Sequence, residues 1–131
     1  MKKNRIAIFA SGSGSNAENI SRFFKDHPLA EVSLFLTNKP DAPVNSRAEK
    51  LGIPCCIFTR ADFYDSDRVL GEISKYKIDF VVLAGFLWLI PAELIRKYPR
   101  KIINIHPALL PKYGGKGMYG SRVHQSVIEN K

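Results

Sequence analysis

Two polar residues near the end of the chain, Asn104 and His106, have the types and spacing needed to act on one small reacting group. They close an apolar run, and the two-residue repeat of a β-strand would place both side chains on one face. An imidazole donates or accepts a proton near neutral pH, and an amide donates a hydrogen bond to an oxygen that becomes negative. Pro107 and Pro111 follow and would stiffen the chain where it leaves the strand. This pattern predicts a catalytic pair.

A Gly-Ser loop, Ser11–Asn16, follows the first apolar run of the chain. Small residues allow a backbone to turn sharply and to approach a ligand closely. A helix is expected to begin at about Asn16, so its free amide groups and positive end would point into the loop and favour a phosphate. The loop lacks the third glycine of a GxGxxG motif and the ending of a P-loop. A phosphate cradle and a plain tight turn with a helix cap both remain open.

An apolar segment, Gly85–Ile90, follows the run Phe80–Ala84. It contains two aromatic and three aliphatic side chains, which could line a flat slot for a planar heterocycle such as a pterin. The alternative is ordinary core at the base of the next helix. Both interpretations place the segment at the carboxyl end of a strand.

Short apolar runs alternate with segments of helical spacing along the chain. The predicted strands are Arg5–Ala10, Glu31–Asn38, Pro54–Phe58, Phe80–Ala84 and Ile102–Ile105. The predicted helices are Ala17–Phe24, Asn45–Leu51, Asp67–Tyr76, Pro91–Tyr98 and Val123–Asn130. This alternation predicts a doubly wound α/β fold with a mostly parallel sheet. Ligands of such sheets bind at the carboxyl ends of the strands, where all three candidate segments would lie.

The composition fits one globular domain over residues 1–131, with 45% hydrophobic and 24% charged residues. No apolar run has the length of a membrane span or a signal peptide, which predicts a cytoplasmic protein. The net charge of +8 favours anionic partners, but the basic residues are too dispersed for a nucleic-acid-binding arm. The adjacent Cys55 and Cys56 fit neither a metal site nor a disulfide framework. His27 is expected in solvent, and His124 lies near a predicted helix start.

Three stretches together resemble the glycinamide ribonucleotide formyltransferase family. They are FASGSGSN at Phe9–Asn16, VVLAGFLWLI at Val81–Ile90 and INIHPALLPKY at Ile103–Tyr113, in the order and spacing of the family. The resemblance implies a Rossmann-like fold. The residues it assigns to the substrate phosphate are Gly14, Ser15 and Asn16. The residues it assigns to the folate are Leu87, Trp88, Leu89, Ile90 and Asn104. The residues it assigns to catalysis are His106 and Asn104.

The implied reaction moves the formyl group of the co-substrate 10-formyltetrahydrofolate onto the amine of 5-phosphoribosylglycinamide, a step of de novo purine biosynthesis that needs no metal. The implied partners are these small molecules, without nucleic acid or membrane, in a monomer or a homodimer. Trp88 departs from the family, because many members have an arginine there, and Gly114–Gly120 forms a longer glycine-rich link. A third catalytic residue, an aspartate, is expected beyond Lys131. The resemblance thus predicts a domain that is incomplete at its carboxyl-terminal end and a chain that could be inactive alone.

Three other functions remain as alternatives. A formyltransferase acting on methionyl-tRNA would need an RNA-binding extension and a basic face, which the sequence does not indicate. A non-catalytic phosphate-binding module would explain the Gly-Ser loop but not the pairing of Asn104 with His106. A hydrolase that releases formate from the same folate generally carries an extra amino-terminal domain, and only four residues precede the first predicted strand.

Overall fold

Five parallel strands form the centre of the computed structural model, which describes residues 3–105. The strands are β1 Asn4–Phe9, β2 Ala30–Thr37, β3 Cys55–Ile57, β4 Phe80–Ala84 and β5 Ile102–Ile105. Their order across the sheet is β3-β2-β1-β4-β5. This order confirms the predicted doubly wound α/β fold, and every strand boundary lies within one residue of its predicted position.

Helices connect these strands. They are α1 Ser15–Phe23, α2 Val44–Leu51, α3 Arg60–Tyr64, α4 Arg68–Lys75 and α5 Ala92–Lys97. α1 starts slightly before its predicted position because Gly14 occupies its N-cap, and Pro91 is the N-cap of α5 instead of a first-turn residue. The predicted helix Val123–Asn130 lies outside the described residues. No helix within residues 3–105 combines the length and apolar character needed to cross a lipid bilayer.

The short helix α3 is absent from the sequence prediction. Its five residues are too few to show a helical repeat of apolar positions. The local signal is a capping box, in which Thr59 Oγ1 accepts from the Asp62 N–H at 3.1 Å and the Asp62 carboxylate accepts from the Thr59 N–H at 2.8 Å. This pair could have identified the helix from the sequence.

Both faces of the sheet are covered by apolar side chains. In β4, Val81 and Leu83 belong to a buried cluster that includes residues of α4 and α5. Val82 and Ala84 belong to a second cluster, which includes residues of α1 and α2. The continuous apolar run of β4 is therefore explained by burial on both faces of the sheet.

The central strand β1 marks the point where the winding of the chain reverses. Phe9 in β1 pairs with Leu36 in β2 on one side and with Leu83 in β4 on the other. The loops that leave β1, β2 and β4 consequently start side by side at one edge of the sheet. This edge is the expected place for a ligand site.

Candidate active site

The turn into α1 requires glycine at position 14. Gly14 has a φ of +80°, and a Cβ atom there would lie 2.7 Å from Cγ2 and 2.8 Å from Cβ of Val44. The Glu18 N–H donates to the Gly14 carbonyl at 2.8 Å, which leaves the amides of the preceding helical residues without a partner inside the helix. Ser15 and Asn16 are among these residues, so their N–H groups belong to the positive end of α1, where the Ser15 N–H donates to the Ser13 hydroxyl at 3.3 Å. The turn has the chemistry of an anion site.

Ser11 joins three loops at the reversal point of the sheet. Its hydroxyl donates to Oδ1 of Asn38 at 2.8 Å and accepts from the N–H of Leu87 at 3.0 Å. Its own N–H donates to the carbonyl of Gly85 at 3.3 Å. Ser11 is buried, and both hydrogen bonds of its hydroxyl are partly buried. The Gly-Ser loop after β1 is thereby fixed against the apolar segment after β4.

The apolar segment Gly85–Ile90 divides its side chains between core and solvent. Leu87 and Leu89 are 72% and 84% exposed, whereas the Trp88 ring packs 6.0 Å from the rings of Phe58 and of Phe63. Alternate residues therefore point away from the core. The ring of Trp88 is part of an aromatic cluster rather than of an open slot.

Two further contacts hold this segment in place. The Tyr64 hydroxyl donates to the Leu89 carbonyl at 2.6 Å. The guanidinium of Arg60 lies 5.0 Å from the centre of the Trp88 ring and 5.2 Å from that of Tyr64. Such cation–π contacts stabilise the placement of all three side chains. Neither Arg60 nor Tyr64 was predicted from the sequence, because only tertiary packing brings α3 to this loop.

Asn104 is the next-to-last residue of β5 and pairs with Leu83 of β4. It is half-buried, and the alternation along β5 places it on the same face as the buried Ile102. Ile105 pairs with Ala84, the residue before the apolar segment, so Asn104 and that segment share the carboxyl edge of the sheet. His106 lies outside the described residues.

Glu18 is the centre of a charged cluster that the sequence analysis missed. Its side chain is only 8% exposed and forms ion pairs with Arg22 at 2.5 Å, with Lys50 at 3.3 Å and with Arg47. The hydrogen bonds from Arg22 and Arg47, with Lys50, hold the pKa of the Glu18 carboxyl at about 2 against its usual 4.5. The i,i+4 spacing of Glu18 and Arg22 was visible in the sequence, but Arg47 and Lys50 come from α2.

The two cysteines lie in and beside the core as free thiols. Cys56 packs in one apolar cluster, and burial raises the pKa of the Cys55 thiol to about 11. Within residues 3–105, no group of three or more His, Cys, Asp and Glu side chains is placed to hold a metal ion.

Comparison with known proteins finds the chain similar to formyl transferases. The sequence profile of the formyl transferase family matches residues 4–130. The chain is similar to the chloroplastic phosphoribosylglycinamide formyltransferase of Arabidopsis thaliana, with 42% identity over 98% of the chain and 46% of the relative. It is 35% identical to the phosphoribosylglycinamide formyltransferase of Bacillus subtilis, over 97% of the chain and 67% of the relative. The chain thus spans less than half the length of the plant relative.

A solved structure gives the same result. The chain superposes on glycinamide ribonucleotide transformylase 1 of Geobacillus kaustophilus with a TM-score of 0.75 and 37% identity. The superposition covers 95% of the chain and 69% of that structure. The similarity therefore extends through nearly all of this sequence.

Proposed function

The chain belongs to the formyl transferase family, and we propose that its protein transfers the formyl group of 10-formyltetrahydrofolate to the amine of 5-phosphoribosylglycinamide. The names of its relatives from Arabidopsis and Bacillus support this acceptor. The chain covers part of each relative, so the proposal concerns the complete protein.

One observation carries the proposal: two candidate substrate sites adjoin each other at the reversal point of the sheet. Ser11 contacts both Leu87 and Gly85, so the Gly-Ser loop and the apolar segment are joined through one buried residue. A transfer reaction needs its two substrates to be held close together in a fixed orientation. Adjacent sites suit such a reaction better than they suit a module that binds a single phosphate.

The acceptor is held through its phosphate. Gly14 provides the tight turn, and the backbone N–H groups of Ser15 and Asn16 at the start of α1 donate to the phosphate oxygens. Binding by backbone amides fixes the distance of the phosphate from the sheet. The ribose and the amine then extend along the carboxyl edge toward β4 and β5.

The folate is held by the segment after β4. The backbone of residues 87–90 binds the polar edge of the heterocycle, and the exposed side chains of Leu87 and Leu89 contact its apolar surface. Trp88 and Ile90 support the segment from the core side. Asn104, at the end of the neighbouring strand, reaches the formyl group.

The reaction is a formyl transfer between two nitrogens. The acceptor amine attacks the formyl carbon, and the new C–N bond gives a tetrahedral intermediate with a negative oxygen. Asn104 donates a hydrogen bond to this oxygen. The bond between that carbon and the folate nitrogen then breaks. The former amine loses a proton and the folate nitrogen gains one, and His106 transfers this proton between them. The role of His106 rests on the family motif.

The remaining parts of the proposal concern the setting of the enzyme. Residues 1–131 form the amino-terminal part of its single α/β domain, which the one sheet that contains all five described strands supports. The protein works in the cytoplasm as a monomer or a homodimer, with small molecules as its only partners. Gel filtration and light scattering of the purified protein would distinguish these two oligomeric states.

The test is a formyl-transfer assay with the complete protein. It offers 10-formyltetrahydrofolate together with phosphoribosylglycinamide, with methionyl-tRNA, or with water alone, and it measures formylated product and free formate. Turnover with the ribonucleotide alone is the expected result. Formylation of the tRNA, release of formate without an acceptor, or no turnover at all would each contradict the proposal in favour of the corresponding alternative.

A further inference from the structure

Arg47 connects the phosphate loop to the buried carboxylate of α1. Its Nε donates to the carbonyl of Ser13 at 2.6 Å, and its Nη1 donates to Oε1 of Glu18. The guanidinium is a rigid planar fork, so its two bonds fix the direction of the Ser13 carbonyl relative to the helix. Ser13 immediately precedes the glycine that turns the chain into α1. Arg47 therefore acts on the shape of the loop from a different helix, α2.

The charge of Glu18 would oppose phosphate binding if it stood alone. Its carboxylate lies in the first turns of α1, on the helix whose amino end is the candidate anion site. A buried carboxylate close to a dianion is unfavourable because the two charges repel each other. Three cations surround it, Arg22, Arg47 and Lys50, so the group as a whole carries a net charge of +2. The cations thus more than offset the carboxylate, and the group keeps a positive charge when any one of them is removed.

The members of this cluster are not equivalent. Arg22 stands one helical turn after Glu18 on the same helix, and within residues 3–105 its side-chain hydrogen bonds go to Glu18 alone. Arg47 has the same partner and an additional bond to the phosphate loop. Removing either arginine takes one positive charge from Glu18, but only the loss of Arg47 frees the Ser13 carbonyl. Comparing variants of the two arginines therefore separates the effect of the lost charge from the effect of the released loop.

We propose that Arg47 is a positioning residue for the phosphorylated substrate, holding the Ser13–Gly14 turn in its anion-binding shape through the Ser13 carbonyl while it neutralises Glu18. This inference rests on the proposed function, since it concerns the phosphate loop of that reaction. It assigns Arg47 no contact with the reacting atoms. Its effect belongs to the affinity for the phosphate and not to the chemical step.

Steady-state kinetics of the complete protein test this assignment with Arg47→Gln, Arg47→Lys and the control Arg22→Gln. Arg47→Gln is expected to raise KM for the phosphorylated amine about tenfold, with kcat and the KM for the folate within about twofold of wild type. Arg47→Lys keeps the positive charge but cannot form both hydrogen bonds of the guanidinium. We therefore expect the logarithm of its KM to lie closer to that of Arg47→Gln than to that of wild type. Arg22→Gln is expected to stay within about twofold throughout.

A binding experiment separates this inference from the proposed reaction. Ribose 5-phosphate is titrated into ¹⁵N-labelled protein, and the amide shifts of Ser15 and Asn16 are followed in wild type and in the three variants. We expect saturable shifts in wild type and in Arg22→Gln, and weaker binding by about tenfold in Arg47→Gln. If wild type binds the phosphate but transfers no formyl group, the proposed function fails while the role of Arg47 stands.

Four results would overturn the role of Arg47. One is equal weakening by Arg47→Gln and Arg22→Gln, which would reduce the effect to charge alone. Another is an Arg47→Gln protein with unchanged phosphate affinity. The third is a fall in kcat together with an equal rise in the KM values of both substrates, which would indicate general damage to the fold. The last is a wild type whose Ser15 and Asn16 amides do not respond to the phosphate.

Discussion

The backbone N–H of Leu87 donates a hydrogen bond to the hydroxyl oxygen of Ser11 over 3.0 Å, although 76 positions separate the two residues in the sequence. The same hydroxyl donates to Asn38, so one buried side chain fixes loops that follow three different strands. Because β1 lies between β2 and β4, no other strand could bring these three loops together. The contact gives the proposed folate segment a fixed position relative to the proposed phosphate loop.

Replacing Ser11 by alanine should loosen this contact and affect the folate more than the phosphate. The Leu87 N–H would lose its partner in a part-buried hydrogen bond, and a bond of this kind contributes about 0.5–1.5 kcal/mol. We expect a lower unfolding free energy by that amount and a KM for 10-formyltetrahydrofolate raised about tenfold. Urea unfolding and steady-state kinetics measure the two effects.

Ser33→Ala is the matched control for this variant. Within the described residues, the Ser33 hydroxyl is buried without a hydrogen-bond partner, so its removal breaks no bond. The change in unfolding free energy should be within about 0.5 kcal/mol or stabilising. Equal destabilisation by the two substitutions would mean that the hydrogen bonds of Ser11 do not contribute to the stability of the fold.

Replacing Gly14 by alanine should damage the phosphate loop. The new Cβ would lie 2.7 Å from Val44 Cγ2 in a backbone region that favours glycine, so α2 has to move. The expected loss of stability is about 2–4 kcal/mol, with a raised KM for the phosphorylated amine. Gly12→Ala is the control, because a Cβ at Gly12 would meet no atom within 4 Å. A Gly14 variant as stable and active as the Gly12 variant would contradict the assigned loop geometry.

Replacing Asn104 by alanine should slow the chemical step. Loss of one donor to a developing oxyanion typically lowers kcat about 10²–10³-fold, and we expect a loss of that order. Single-turnover measurements with saturating substrates would separate this step from product release. Asn4→Ala, an exposed asparagine where β1 begins at the opposite edge of the sheet, should leave kcat unchanged. Near-wild-type turnover in Asn104→Ala would remove Asn104 from the mechanism.

The Glu18 cluster predicts how stability responds to acid. The folded-state pKa of Glu18, about 2, lies below its usual value of 4.5. A lowered pKa stabilises the folded state at pH values above 4.5, and this contribution disappears as the pH falls through about 2. Urea unfolding of wild type and Glu18→Gln should be measured from about pH 6 to about pH 2. The difference between their unfolding free energies should be constant at first, and wild type should then lose stability relative to Glu18→Gln as the pH falls. Parallel curves over the whole range would contradict the ion-paired placement of Glu18.

The strands were predictable because their signals are local. The run Phe80–Ala84 is apolar at every position and is followed by Gly85, so its limits are evident in the sequence and agree with β4. α3 was missed since five residues cannot show a helical repeat, and its signal lies in the Thr59–Asp62 capping pair. The same locality explains why the Gly-Ser loop and the apolar segment were recognised as candidates.

The sequence by itself determined the strand and helix pattern, the α/β class and the segments that carry candidate chemistry, because apolar repeats and glycine positions are properties of neighbouring residues. Only the tertiary structure decided which segments meet. It placed Ser11 in contact with Leu87 and packed the Trp88 ring in the aromatic cluster. It also brought the Arg47 side chain to Ser13 and Glu18. These contacts depend on the order of strands in the sheet and on helix packing, which bring together residues that are far apart in the chain.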